Sequence, residues 1–233
     1  MRLALIGYGA MGKLVENLAS AAGDEIGLKV DSRNASVDAT QLAASLGGHA
    51  VAIDFSVGPA VLRNIEACAR AGVPLVEGTT GWQEKVADAR RLVEENEGAL
   101  VYGANFSIGV NVFYRIVSQA ARLMAGLDQY HPFIQEEHHE RKRDAPSGTA
   151  LKLKGLMSEH VKTEIPITSV RAGHIPGTHR VGFDSAADQI MLTHMARSRE
   201  GFAAGALLAA RWIASRKGVY EFSEVLTEVI SEK

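Results

Sequence analysis

The sequence predicts an α/β chain built on a doubly wound parallel sheet, with a second, smaller α+β unit after it. Two observations carry that expectation. As far as Tyr102, short and continuously apolar runs alternate with amphipathic helical runs, the pattern of a parallel sheet covered on both faces. Beyond Gly109 the rhythm changes to one long helical run, followed by extended runs separated by short turns.

Residues 3–6 form an apolar run ended by Gly7, a buried first strand. Residues 12–22 read as a helix with Leu14, Val15 and Leu18 on one face and Gly23 ending it. Residues 26–30 and 51–55 are the second and third strands. Pro59 suits the first turn of a helix that runs to Ala71 and stops at Gly72. A fourth strand follows at 73–76, a helix at 82–95 and a fifth strand at 99–102. A helix over 110–124 leads to a strand at 131–137, and residues 147–160 are again helical. Residues 166–172, 178–183 and 189–195 read as strands of a small mixed or antiparallel sheet. Helices at 202–215, ended by Gly218, and at 222–230 close the chain and are expected to pack back on the first unit.

Composition narrows the function classes. A chain of 233 residues with 46% apolar content can bury a proper core. A net charge of −2 gives no global field for nucleic acid or an acidic membrane. Cys68 is the single cysteine, so an internal disulfide is excluded and a reducing cytoplasm is expected. The N-terminal apolar run is too short for a signal peptide. The apolar stretch 202–214 carries Arg211 and falls short of the roughly 20 residues needed to span a bilayer. A soluble cytoplasmic protein, with neither a nucleic-acid nor a membrane partner, is expected.

The segment Gly7-Tyr8-Gly9-Ala10-Met11-Gly12 follows the first strand and opens the first helix, the context of a dinucleotide fingerprint. The first glycine permits a tight turn, the second lets a pyrophosphate approach the backbone, and the third lets helix and strand pack closely. Asp31 ends the second strand about 20 residues on, where an acid bonds the ribose hydroxyls. Arg33 stands two residues further and could take the 2′-phosphate of NADPH. NADH and NADPH are therefore both expected as cofactors. The rival phosphate loop, Gly7 to Lys13, lacks the serine or threonine that would ligate magnesium, since Leu14 stands there. Gly78-Thr79-Thr80-Gly81 and Gly103-Ala104-Asn105-Phe106 follow the fourth and fifth strands, so both loops are placed to touch the cofactor of a Rossmann-like sheet.

The segment from Glu136 to Thr149 carries the proton chemistry. His138 and His139 are consecutive at a strand end, so they point to opposite sides and cannot share one role. Lys142 can return toward the same place if Glu140 and Arg141 form a bend. Histidine is the default proton carrier near neutral pH, and a lysine beside it can act as an acid or hold a carboxylate. Ser147-Gly148-Thr149 at a helix start offers hydroxyls and free backbone N–H groups to an anion. No metal is expected: Arg143 stands where a zincin helix needs its second histidine, and Gln135 fails the inverted form. Paired histidines beside the charged run 136–144 also suit a merely solvated face.

These motifs resemble the 4-hydroxy-tetrahydrodipicolinate reductase (dihydrodipicolinate reductase) family. The resemblance rests on the run through Thr149, the loop at 78–81, Ala104-Asn105-Phe106-Ser107-Ile108-Gly109-Val110-Asn111, and Thr193-His194 with Ala196 and Ser198-Arg199, all in family order. It implies His138 as catalytic acid/base, Lys142 as second proton donor, and His139, Gly148 and Thr149 as substrate contacts with Ser147 adjoining. It implies nicotinamide-side contacts from Gly78, Thr79, Thr80, Gly103, Ala104, Asn105 and Phe106. The implied reaction is NAD(P)H-dependent reduction of a cyclic dicarboxylate with loss of water, in a homotetramer. Residues 1–106, completed by 202–233, are then the dinucleotide-binding domain, and 107–201 the substrate-binding and oligomerisation domain. Three features depart from the family pattern: Lys13 is the nearest cation to the glycine loop, the segment 161–170 is short, and Thr178 stands where an acid is usual. Two other readings share the fingerprint: a dehydrogenase of another small amino acid, and an NADH-sensing regulator. The regulator would normally carry a basic recognition helix, and none is visible.

Overall fold

The computed structural model describes residues 1–33 and 36–231. In chain order the elements are β1 (Arg2–Ile6), α1 (Ala10–Ala21), β2 (Glu25–Val30), α2 (Ala39–Leu46), β3 (Val51–Asp54), α3 (Val61–Arg70), β4 (Leu75–Glu77), α4 (Val86–Glu95), β5 (Ala99–Tyr102), α5 (Ile108–Met124), β6 (His131–His138), α6 (Gly148–Ser158), β7 (Ile167–Arg171), β8 (Thr178–Asp184), β9 (Gln189–Met195), α7 (Glu200–Ile213), β10 (Gly218–Glu221) and α8 (Phe222–Ser231). They form two compact units: Met1–Ile108 with Glu200–Lys233, and Gly109–Arg199.

The first unit is a six-stranded sheet in the order β10-β5-β4-β3-β1-β2, every pair parallel. Both faces are covered, which is why its strands read as unbroken apolar runs. Leu3, Leu5, Ile53, Val76 and Val101 pack against α1, α7 and α8. Ala4, Ile6, Ala52, Leu75 and Leu100 pack against α2, α3 and α4 on the other side. Each fully buried Leu, Ile or Val contributes roughly 1.5–3 kcal/mol by leaving water.

Several bounds differ from the sequence reading. A 3-10 turn at Gly58–Ala60 carries Pro59, and the α-helix starts after it. Another 3-10 turn, Gln83–Lys85, precedes α4. The fourth strand is shifted toward Glu77. α2 was not anticipated: Asp38 caps it by accepting from the Gln41 N–H at 2.8 Å, and Leu42 and Leu46 form its buried stripe. Gly218 does more than follow a helix; at φ 105° it opens the edge strand β10, which pairs with β5.

The second unit is a four-stranded mixed sheet in the order β7-β6-β8-β9, with β6–β7 parallel and the other pairs antiparallel. Its inner face carries Ile134, Val181 and Phe183 under Phe113 and Val117 of α5 and Leu153 and Met157 of α6. Along β6 buried and less buried residues alternate, so Ile134, Glu136 and His138 share the inner face. Among the described residues, no helix is long and apolar enough to cross a membrane.

Candidate active site

In the first unit the glycine loop is shaped by steric necessity. Gly7 has φ 84°, and a Cβ there would lie 2.4 Å from the Phe55 backbone. A Cβ on Gly12 would lie 2.6 Å from the Gly7 carbonyl oxygen. A Cβ on Gly9 would meet nothing within 4 Å, so open space lies above the N-cap residue of α1. Two glycines are thus needed for chain packing and the third faces room for a ligand, which fits a dinucleotide pyrophosphate on the helix N-terminus. Ala10 and Met11 form the first turn of that helix. Tyr8 is fixed by a hydrogen bond to Glu16 and by Lys29, whose Nζ lies 4.6 Å from the ring centroid.

Asp31 and Arg33 are bonded to each other. Arg33 donates from Nη2 at 2.6 Å and Nε at 3.0 Å to Asp31 Oδ2, and from its backbone N at 2.9 Å to Oδ1. The acid and base singled out in the sequence therefore form one forked pair.

The two later loops are tied down at their bases. Gly78 N donates to the Asp54 carbonyl at 2.9 Å, and Gly103 N to the Glu77 carbonyl at 3.2 Å. Thr79 is buried: its Oγ1 accepts from Ser56 N at 3.0 Å, and its carbonyl accepts from Trp82 Nε1 at 2.8 Å. Thr80 is exposed, so its hydroxyl is the one this loop turns to solvent. In the other loop Ala104 is exposed, and Asn105 Oδ1 accepts from Ser107 N at 2.8 Å. Phe106 is a core residue, 4.6 Å from Phe222 between ring centroids, and supports the loop from beneath.

In the second unit, strand register assembles a buried polar cluster around His138. Glu136 lies two residues earlier on the same face of β6, and His138 Nδ1 donates to its Oε2. Arg171 is the register partner of His138 on β7, and His179 that of Glu136 on β8. Arg171 donates from Nη2 to Glu136 Oε1 at 2.7 Å and from Nη1 to Oε2 at 2.9 Å. His179 Nε2 is hydrogen-bonded to Ser147 Oγ at 3.1 Å, and its ring lies 5.1 Å from that of His138.

The electrostatics follow from those contacts. Burial alone would raise the Glu136 pKa, but hydrogen bonds from Arg171, Ser169 and His138 outweigh it and hold the carboxyl at about 2. Burial lowers the His138 pKa, and the Glu136 contact offsets only part of that. With Nδ1–H committed to Glu136, the free lone pair is on Nε2, which faces Gly177. Burial, reinforced by the nearby His138, pushes His179 down to about 4.

Residues 140 and 141 do form the turn that brings Lys142 back, closed by a Lys142 N–H to His139 carbonyl bond at 3.1 Å. Lys142 Nζ donates to both Asp144 oxygens at 2.8 Å, which lowers the Asp144 pKa. His139 lies just past the strand end and is only partly buried, unlike His138. Ser147 is the N-cap of α6 and is fully engaged: its Oγ accepts from Ala150 N at 3.2 Å, and its own N donates to Glu136 at 3.2 Å. What that turn presents outward is exposed Gly148 and half-buried Thr149.

Glu136, His138 and His179 also bring three donor atoms within 4.8 Å of one another, a set with metal-ligating chemistry. Both Glu136 oxygens are gripped by Arg171, so a cation would have to displace a guanidinium already in place. Sequence reasoning weighed metal motifs by linear spacing and missed this cluster. The alternation of Glu136 and His138 along one strand was legible, whereas Arg171 and His179 arrive only through strand register.

The chain is similar to known proteins over nearly its whole length. Residues 1–106 match the family model described as dihydrodipicolinate reductase, N-terminus, and residues 109–226 the model for its C-terminus. A 4-hydroxy-tetrahydrodipicolinate reductase of Christiangramia forsetii is 39% identical, covering 98% of this chain and 99% of its own length. One from Archaeoglobus fulgidus is 37% identical, covering 97% and 100%. Among solved structures, a dipicolinate-bound dihydrodipicolinate reductase from Paenisporosarcina sp. TG-14 superposes with a TM-score of 0.72 at 22% identity, covering 95% of this chain and 97% of that one. The chain belongs to the dihydrodipicolinate reductase family.

Proposed function

We propose that this protein reduces 4-hydroxy-tetrahydrodipicolinate to tetrahydrodipicolinate with NADH or NADPH, releasing water, in diaminopimelate and lysine biosynthesis. The observation that carries the reading is the Arg171–Glu136–His138 chain, which leaves one imidazole nitrogen free beside Lys142 and an anion-binding helix start.

The dinucleotide, when bound, supplies a hydride. Gly7, Tyr8, Gly9, Ala10, Met11 and Gly12 would hold its pyrophosphate, Asp31 and Arg33 its adenosine ribose, and the loops at 78–80 and 103–106 its nicotinamide side. The chain's own groups manage protons and charge. His138 exchanges a proton through Nε2, and Glu136 keeps the ring in the one tautomer that can do so. Lys142, ion-paired with Asp144, is the second donor, and the departing hydroxyl needs such a proton to leave as water. The Gly148 and Thr149 end of α6 receives one substrate carboxylate with backbone N–H groups and the positive end of the helix, and His139 flanks it.

The outer face of the four-stranded sheet exposes Val170, Met191 and Met195, apolar residues that a further subunit would cover. A cytoplasmic homotetramer accounts for that face. The deciding assay supplies the condensation product of aspartate semialdehyde and pyruvate and follows loss of nicotinamide absorbance. No oxidation of either cofactor under those conditions overturns the reading.

A further inference from the structure

A second buried carboxyl group stands at the base of the 78–81 loop, and among the described residues no cation forms an ion pair with it. Asp54 and Glu77 are the last residues of β3 and β4, and they are register partners. In a parallel sheet such partners project to the same face, and both are fully buried. Asp54 is well supplied with donors: Ser56 N at 2.7 Å and Asn64 Nδ2 at 2.6 Å, with Thr79 Oγ1 at 3.4 Å. Glu77 Oε1 accepts from Thr79 N at 2.7 Å, whereas Glu77 Oε2 meets no donor. As register partners on adjacent parallel strands, the two carboxyl groups are neighbours on one face of the sheet.

Two adjacent carboxylates in a dry interior cannot both stay ionised without a cation between them. Arg63 donates to Asn64 Oδ1 at 2.7 Å, and Asn64 Nδ2 in turn donates to Asp54. Among the described residues, two further titratable groups face the pair, and neither is a cation: Cys68 of α3 is itself pushed up by burial and by both carboxyls, and Tyr102 is the register partner of Glu77 on β5.

We propose that Glu77 carries a proton and donates it to Asp54, and that this one bond is a positioning device for cofactor binding, tying the 78–81 loop to the 55–58 turn. The orphan Oε2 is then the donor atom, and every other oxygen of the pair already has its partner. The consequence is local to the cofactor loops. Ser56 N and Thr79 N, one on each segment, are both held by this pair, and Gly58 lies so close to the second loop that a Cβ there would be 3.0 Å from the Gly81 carbonyl oxygen. Burial and the Asp54 charge both raise the Glu77 pKa well above the usual carboxyl range. Loss of that proton sets two charges against each other under the loop and loosens it.

The inference rests on the 78–81 loop being a cofactor loop, and the experiment separates the two. NADH dissociation constants are measured by fluorescence from about pH 6 to about pH 9.5. In the wild type the constant should rise by at least roughly fivefold across that range. Glu77→Gln keeps a donor that cannot ionise; it should match the wild type at the low end and lose the alkaline rise attributable to this pair. Glu77→Met removes the donor and should bind NADH weakly at every pH. Equal pH profiles for wild type and Glu77→Gln, or equal affinity for the Gln and Met variants, overturn the proposal. Thr80→Glu, at an exposed position of the same loop, should weaken NADH by repelling its phosphates; if it does not, the loop assignment itself has failed. Should Glu77→Gln not fold, carbon NMR of the wild-type carboxyl groups still decides: one buried carboxyl should remain protonated near pH 7, and full ionisation overturns the claim.

Discussion

Arg171 grips both oxygens of Glu136 from the neighbouring strand, at 2.7 and 2.9 Å, and that grip makes Glu136 a permanent anion beneath His138. A buried carboxylate without it would take up a proton, and His138 would lose the acceptor that fixes its tautomer. Glu136→Gln preserves shape but can present its NH₂ to His138 Nδ1 and reverse the tautomer. It should lower kcat by about tenfold or more, within the roughly 10²–10⁴-fold span of a general acid–base group, while NADH affinity stays near wild type. Wild-type kcat in this variant would remove Glu136 from the mechanism. Arg171→Ala strips the buried Glu136 of its cation, and should cost about 3 kcal/mol of stability in denaturant titrations.

The proton donors themselves should show larger effects. His138→Gln and Lys142→Ala are each expected to reduce kcat by roughly 10²–10⁴-fold without weakening NADH binding. Titration of NADH fluorescence alongside steady-state kinetics checks both halves. If both variants keep full turnover, the site is misassigned.

Substrate recognition makes a separate demand. Thr149→Val removes a hydroxyl at the start of α6 and should raise KM for the dicarboxylate more than it lowers kcat. Pyridine-2,6-dicarboxylate, a planar dicarboxylate, should compete with substrate and raise Tm. A millimolar ligand that leaves Tm unmoved would count against the helix-start clamp.

Acid stability should show two windows with known sign. His179 has a pKa of about 4 in the fold against about 6.5 when unfolded, so the unfolded chain binds more protons between those values. Its contribution is full above about pH 6.5 and is lost as pH falls toward 4, a change of about 3 kcal/mol at most. Glu136 is depressed to about 2, so its contribution is lost later, between about pH 4.5 and pH 2. His179→Gln should flatten the first window of a stability-versus-pH curve and leave the second. An unchanged slope from pH 6.5 to 4 would show that His179 is not held neutral.

The fold class was legible because parallel strands covered on both faces have nowhere to put polar residues; Leu3, Ala4, Leu5 and Ile6 serve two cores at once. What escaped were elements without a strong period. The α2 helix is alanine-rich and short, and β10 is a partly exposed edge strand opened by Gly218. In the site, the residues that share a run of sequence were found, because His138, Lys142 and Ser147 lie on one strand-turn-helix passage. Arg171 and His179 were not found, since strand pairing brings them to Glu136 from 35 and 43 residues away by their numbers. Asp54 and Glu77 were missed for a related reason: each looks like an ordinary polar end to an apolar strand until register sets them side by side.

Cofactor choice turns on the Asp31–Arg33 pair. The Arg33 side chain is 89% exposed, and such a surface pair is worth only about 0–1 kcal/mol. Arg33 can therefore leave Asp31 for a 2′-phosphate at little cost, while Asp31 alone would favour the two ribose hydroxyls of NADH and repel that phosphate. The opposing effects nearly cancel, so both cofactors should serve, with a preference for NADH of no more than about tenfold, or about 1.4 kcal/mol. Arg33→Ala should weaken NADPH and spare NADH; Asp31→Ala should do the reverse, since it frees Arg33 and removes the repulsion together. Side-by-side KM values for the two cofactors measure this directly, and a wild-type preference for NADPH of about a hundredfold would show that Arg33 dominates the site after all.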